Sequence, residues 1–348
     1  MKKFGIHLFA GLLGCSAAAA QESISFQGKT VTMIIGFAAG GGTDAFGRLT
    51  ASFLPNYLPG APTVVVRNVP GAEGITAMNY LVQQVTPDGN TVVTAASTTA
   101  DPLNYRKPQS HFDPSDFAVI GGVGRGGSAI LINKNAEQRL YDKQARPVVM
   151  GSPAGIPRSG MQMTAWGIEY LGWNAKLVVG YRGTSELMLA LERGEIDMTS
   201  TANLFLIQKL LESGRFKILV QTGTLKNGVT VPRPDFGDAP TLAKLVEGKI
   251  NDSMTRQAFA YWGNIASMDK WLALPPKSTK GIVDVYRAAY GRMVQDPEFI
   301  ERGKKTSDDF EPMLSGEVET LISALGNVTP GAFDNLSTML KKQGLPTE

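Results

Sequence analysis

Short runs rich in β-branched residues alternate with stretches of helical spacing, and this alternation limits the fold more than any other feature of the chain. Residues 31–37, 63–66 and 91–94 read as strands, because branched side chains suit a pleated, half-buried surface. Between them, Phe46, Leu49, Phe53 and Leu54 fall on one helical face, and residues 75–82 predict a second helix. Strands separated by helices run parallel, since the helix carries the chain back to the edge where the next strand starts. The expectation is an α/β fold with mostly parallel sheets and flanking helices.

At 348 residues the chain exceeds what one core usually fills, so two domains are expected. Strands at 117–123 and 129–132 are separated only by glycine-rich sequence, which reads as a crossing into the second domain. The alternation then resumes, with strands at 148–150, 177–179, 196–198 and 218–221 and helices at 161–170, 186–192 and 204–211. A break at 228–240, carrying Pro232, Pro234, Gly237 and Pro240, reads as the return. Beyond Thr241 the pattern is mostly helical, at 279–294, 297–304, 316–325 and 330–342. The predicted organisation is a discontinuous first domain, 24–123 with 240–348, and an inserted second domain, 124–239.

The start of the chain excludes whole classes of function. Lys2 and Lys3, an apolar stretch over 4–13 and small residues to Ala20 form the three regions of a secretory signal over 1–20, too short for a membrane span. Export to the periplasm follows, with cleavage before Gln21 preferred; Leu12-Leu13-Gly14-Cys15 also resembles a lipobox, which would anchor the protein by lipid on Cys15. Loss of Lys2 and Lys3 with no acid lowers the formal charge from +3 to +1, and no basic cluster suited to nucleic acid survives. The only cysteine and one of two histidines leave as well, so disulfides, thiol nucleophiles and multi-histidine metal sites are excluded. A Ser-His-acid triad would have to recruit His111, which sits in a turn-rich stretch and reads as a solvated surface residue. No catalytic residue, metal or cofactor is assigned.

In open α/β sheets the ligand lies outside the carboxyl ends of the strands. There the chain places Ala39, Gly40, Gly41, Gly42 and Thr43; Ser97, Thr98 and Thr99; Ser152, Gly155, Arg158 and Ser159; Tyr181, Arg182, Gly183 and Thr184; and Thr199 to Thr201. Open backbone NH groups, short hydroxyls, helix N-termini and two arginines, with few acids nearby, suit a carboxylate better than a cation. Asp44 reads as the N-cap of the first helix and Asp197 as a loop or hinge brace. Trp166 and Trp173 read as core. The G-x-G-x-x-G match at Gly122-Val123-Gly124-Arg125-Gly126-Gly127 is rejected as a nucleotide site, because a strand rather than a helix follows it; its glycines read as a crossing or hinge.

The run from Val31 through Gly36-Phe37-Ala38-Ala39-Gly40-Gly41-Gly42-Thr43-Asp44 to Arg48 resembles the first strand, loop and helix of the tripartite tricarboxylate transporter receptors, the Bug family. Asn68-Val69-Pro70-Gly71-Ala72-Glu73-Gly74, Pro87-Asp88-Gly89, Tyr181-Arg182-Gly183-Thr184, Gly194-Glu195-Ile196-Asp197 and Asp238-Ala239-Pro240-Thr241-Leu242 resemble further family elements in the same order. The resemblance implies a two-domain, type II-like periplasmic binding fold with an inter-domain cleft. It also implies capture of a small organic acid, often a di- or tricarboxylate, and delivery to integral-membrane permease subunits. The chain is expected to act as a monomer. Two departures stand out: the loop after Met150 lacks the family's usual histidine, and Leu274-Pro275-Pro276-Lys277-Ser278-Thr279 is a degenerate form of an Ala-Pro-x-Gly-Thr-Pro turn. The alternatives are a periplasmic sensor module and an enzyme acting on organic acids through Tyr181 or Asp197.

Overall fold

A computed structural model describes residues 24–152, 160–181, 184–226, 229–307 and 310–345. The expected signal over 1–20 lies outside these. The strands are β1 Thr30–Ile35, β2 Thr63–Asn68, β3 Thr91–Ala96, β4 Ala118–Arg125, β5 Ala129–Asn133, β6 Val148–Ser152, β7 Ala175–Val179, β8 Met198–Thr201, β9 Phe216–Gln221, β10 Thr224–Lys226, β11 Val229–Val231, β12 Met268–Leu274 and β13 Phe310–Leu314. The helices of the first half are α1 Gly42–Phe53, α2 Ile75–Gln84, α3 Pro102–Tyr105, α4 Gly160–Tyr170, α5 Thr184–Arg193 and α6 Leu204–Glu212. Those of the second half are α7 Leu242–Val246, α8 Ser253–Ser267, α9 Lys280–Met293, α10 Pro297–Thr306, α11 Ser315–Gly326 and α12 Pro330–Lys342.

Two main sheets result, in the orders β13-β4-β12-β3-β1-β2 and β7-β6-β8-β5-β9, with β10 and β11 as a separate antiparallel pair. The expected alternation holds for β1, β2 and β3, which are parallel, and for β6, β7 and β8. Each sheet also carries opposed strands, although β1, β2, β3 and β4 share one direction and so do β6, β7, β8 and β9. In the first, β12 runs antiparallel to both β3 and β4, and β13 antiparallel to β4. In the second, β5 is antiparallel to β8 and β9. A chain that runs up one sheet and passes directly into the next must start its first strand there from the carboxyl edge, so β5 opposes its parallel neighbours. The tail beyond Thr241 is likewise not only helical: β12 inserts into the middle of the first sheet and β13 closes its edge.

Helices cover both faces of the first sheet. On one, α1, α9 and α10 bury Phe46, Phe53, Tyr286, Tyr290 and Phe299 against Met33, Ile35 and Leu272, with Phe53 and Phe299 edge to face at 5.4 Å. Each fully buried side chain of this size contributes about 1.5–3 kcal/mol. The other face carries α2, α8, α11 and α12, and its core runs on through Trp166 of α4, which meets Phe259 of α8 at 5.0 Å. Trp166 and Trp173 are both buried core residues.

Of the run read as a crossing or hinge, Gly122 and Gly124 lie inside β4, as does Gly121 before them. A Cβ on Gly121 would fall 2.2 Å from the Tyr290 ring, and one on Gly122 would fall 2.5 Å from Lys270 O. Gly121 lets the buried Tyr290 ring lie against the strand while its hydroxyl donates to the Gly122 carbonyl, and Gly122 lets the backbone of β12 come close. The crossing itself is Gly126, Gly127 and Ser128, between β4 and β5.

Candidate functional site

The strand registers bring the two carboxyl edges together. β4 ends at Arg125 on the edge where β1 and β3 end, and β5 begins at Ala129, opposite Thr201 at the end of β8. Three intervening residues span roughly 13 Å at most between flanking strand ends, from the reach of an extended chain. The return leg closes on the same edge, where Gln221 at the end of β9 bridges to Thr241 and its side-chain amide donates to Ala239 O at 2.7 Å.

On the first sheet, the loop after β1 is held from beneath. Asp44 is almost wholly buried and accepts from Gly40 NH at 2.9 Å, Asn68 Nδ2 at 2.8 Å and Arg48 Nε at 2.9 Å. The same Asn68 amide donates to Phe37 O at 2.8 Å. Gly40 sits at φ +90°, where a side chain would be strained. Burial would raise the Asp44 pKa, but the Arg48, Gly40 and Asn68 hydrogen bonds outweigh it and bring it from 3.8 to about 2. Gly41, and not Asp44, is the N-cap; Asp44 lies in the first turn and reaches back to the loop. The braced loop leaves residues 38–42 exposed, with the unpaired NH groups of the first turn of α1 beside them.

After β3, a turn over Ser97–Ala100 carries three hydroxyls with different fates. Thr99 is buried, donates to Ala96 O at 2.7 Å and accepts from Trp271 Nε1 at 3.0 Å, so it braces the turn. Thr98 donates to Glu73 O at 2.9 Å. Ser97 Oγ has no hydrogen-bond partner among the described residues and is 7 % exposed.

β12 brings groups that sequence reasoning missed. Lys270 pairs with Ala96 across the sheet, and a Cβ on Gly42 would stand 3.7 Å from its Nζ, so the amine lies against the N-terminus of α1. It bonds Asp269, which also accepts from Arg125 Nη2 at 3.3 Å. Acids near the loops are thus less sparse than the sequence implied, with Asp269 and Glu73 both at this edge.

On the second sheet, Ser152 ends β6, Tyr181 follows β7 and Thr184 opens α5. Gly155, Arg158, Ser159, Arg182 and Gly183 lie outside the described residues. Tyr181 is half-buried beside the Leu187 and Ile196 cluster. Burial first, then the acids Glu195 and Glu186, push its hydroxyl pKa up, so it stays a proton donor at neutral pH. Thr199 is buried and donates to Gly151 O at 3.2 Å.

Asp197 lies at the opposite edge, before the first residue of β8. Its carboxylate accepts from Val149 NH at 2.9 Å and from Arg139, and its own NH donates to Val149 O at 2.9 Å. With four strand residues between it and the carboxyl edge, roughly 13 Å at strand rise, it braces the sheet far from the loops. A concavity of about 560 Å³, lined by Val82, His111, Asp113, Asp116, Pro276 and Lys277, is also on a far edge, beyond the C-terminal end of β12. His111 is exposed there.

Two mixed sheets joined at their carboxyl edges, with glycine and hydroxyl loops on both, make the two-domain fold of the periplasmic binding proteins. A solved, ligand-free TctC solute-binding protein from Polaromonas has this fold, with a TM-score of 0.65 at 20% identity over 89% of this chain and 100% of its own. The periplasmic binding protein BugD gives 0.50 at 22% identity, covering 92% and 99%. An R. palustris protein solved with adipate gives 0.52 at 20% identity, covering 91% and 97%. Two UPF0065 proteins are similar in sequence: one of Bordetella pertussis at 29% identity over 63% of this chain and 68% of its own, and one of Cupriavidus necator at 26% over 72% and 74%. The model of the tripartite tricarboxylate transporter family receptors matches residues 59–321, and the chain belongs to that family.

Proposed function

We propose that this protein is a periplasmic receptor that captures a small organic carboxylate, a di- or tricarboxylate, and delivers it to the permease subunits of a tripartite transporter. The observation that carries the reading is the braced N-terminus of α1, open beside Lys270 at the edge where both sheets end. A helix N-terminus with an amine packed against it makes an anion site. Residues 24–123 with 240–348 form one lobe and 124–239 the other, with the Gln221 to Thr241 bridge at the seam. Closure of the lobes then sets Ser152 and Tyr181 against Gly40 to Thr43 and Ser97. Adipate in the R. palustris relative agrees with this ligand class. The protein binds and releases its ligand without chemistry, as a monomer, after export by its N-terminal segment. Among the described residues no helix is long and apolar enough to cross a membrane.

Thermal stability of the purified protein against mono-, di- and tricarboxylates, with amino acids and sugars as controls, tests this. A ligand at about a hundred times its Kd adds about 2.7 kcal/mol. Stabilisation by one acid class, with the compound recovered unchanged, is expected. Recovery of a converted compound would mean an enzyme, and folded, ligand-free protein that responds to no acid would refute the carboxylate reading.

A further inference from the structure

Around Asp269 the charges do not balance. Lys270 and Arg125 share this one carboxylate, and the salt bridges give neither cation another partner among the described residues. The Lys270 side chain is only 12 % exposed. The positive end of α1 faces the same amine, since a Cβ on Gly42 would lie 3.6 Å from Lys270 Cε and 3.7 Å from Nζ. The nearby acids are already engaged. Asp44 holds Gly40, Arg48 and Asn68; Glu73 accepts from Asn104 Nδ2 at 3.1 Å; Asp101 accepts from Tyr261 and from Leu103 NH. The trio of Lys270, Arg125 and Asp269 therefore carries one surplus positive charge; Arg125, 38 % exposed and in a pocket with Glu311 and Glu317, is reached by water, while Lys270 is largely shielded and is the cation that an anion at the N-terminus of α1 would meet.

We infer that Lys270 is a specificity-determining residue that takes a ligand carboxylate directly, with Arg125 and Asp269 setting its position and the strength of its field. This rests on the receptor reading above and sharpens it. Recognition through backbone NH groups and water alone tolerates neutral polar ligands. A lysine held at the site favours a carboxylate at that end of the ligand, and a charge-assisted bond is roughly twice as strong as a neutral one. Asp269 works against binding, because it holds part of the lysine's field and would repel the incoming anion. Its value lies in holding the empty site together, and it makes affinity tunable in both directions.

The test uses the full protein, with adipate and citrate as probes in titration calorimetry at low and high sodium chloride. Lys270→Met keeps the length of the side chain and removes the charge. It should weaken binding of the better probe by at least about tenfold, or about 1.4 kcal/mol, and flatten its salt dependence. Asp269→Asn should tighten binding severalfold. A merely structural ion pair predicts the opposite for the second variant, with affinity and thermal stability falling together in both. If wild type binds a probe and Lys270→Met binds it as tightly, the inference is wrong while the receptor reading stands. If wild type binds neither probe nor any other carboxylate, both fall. Should Lys270→Met fail to fold, Asp269→Asn decides alone: unchanged or weaker binding overturns the assignment.

Discussion

Asp44 and Asp197 are both buried acids, with side chains 5 % and 9 % exposed, and both are held by an arginine and a backbone NH. Their surroundings are chemically alike, yet their consequences differ because they cap opposite edges. Asp44 sits where strands end, under a loop open to a ligand. Asp197 sits where β8 begins and ties β5, β6 and β8 together: Asn133 NH donates to its carbonyl at 2.9 Å while Val149 is bonded in both directions. The pair teaches that burial and an arginine do not mark a functional acid. What distinguishes the two acids is the sheet edge at which each lies.

Breaking this comparison starts with the larger effect. Asp197→Ala leaves Val149 NH and a largely buried Arg139 without their acceptor, so unfolding free energy should drop by about 3 kcal/mol or more. Carboxylate affinity of the folded protein should stay within about twofold, measured by urea denaturation and calorimetry on one sample. Normal stability with lost affinity would place Asp197 in the site.

Asp44→Asn should behave the other way round. The amide is the same size but a weaker acceptor for Gly40 NH and Arg48, so the loss in stability should be about 1–2 kcal/mol and the loss in affinity about tenfold. The carboxylate's folded pKa, about 2, lies below its ordinary 3.8, so the fold favours the charged form. Its stabilisation is therefore complete above about pH 4 and is lost as pH falls towards 2. The stability gap between wild type and Asp44→Asn should be constant from pH 7 to about 5 and close below 4. A gap that persists at pH 2 would mean that the charge is not what holds the loop.

The first three strands, their helices and the glycine loops were legible because each keeps one clear period between turn signals. β12 was not. It follows α8 with no glycine or proline between, and its first half, Met268-Asp269-Lys270, breaks the apolar run. β13 carries Pro312, tolerable only because the strand is at the sheet edge, and that residue argues against a strand in sequence. Missing β12 also hid Lys270 and Asp269, which reach the loops from more than 170 positions away in the chain. Gly122 and Gly124 read as part of a crossing or hinge because sequence shows glycine's freedom and not the close neighbours inside the sheet that leave little room for a side chain.

The smallest expected effect separates the two edges once more. Lys277 adopts φ +68°, a left-handed conformation, at the position where the family turn has glycine. Glu73 does the same at φ 55°, but at the edge where β1 and β3 end. Left-handed backbone costs an ordinary residue about 1–2 kcal/mol, and glycine returns part of that gain through its freer unfolded chain. Lys277→Gly should thus stabilise the protein by about 0.5–1 kcal/mol, seen as a rise in thermal midpoint, and leave affinity unchanged. Glu73→Gly relieves the same strain but removes the carboxylate that accepts from Asn104, so its net gain should be smaller. Asn104 also donates to Thr98 O, so loss of its Glu73 partner loosens the turn over Ser97–Ala100, and affinity should shift. If Lys277→Gly lowers stability instead, the lysine's own contacts along the groove it lines offset the strain, and the far edge carries more of the fold than its exposed turn suggests.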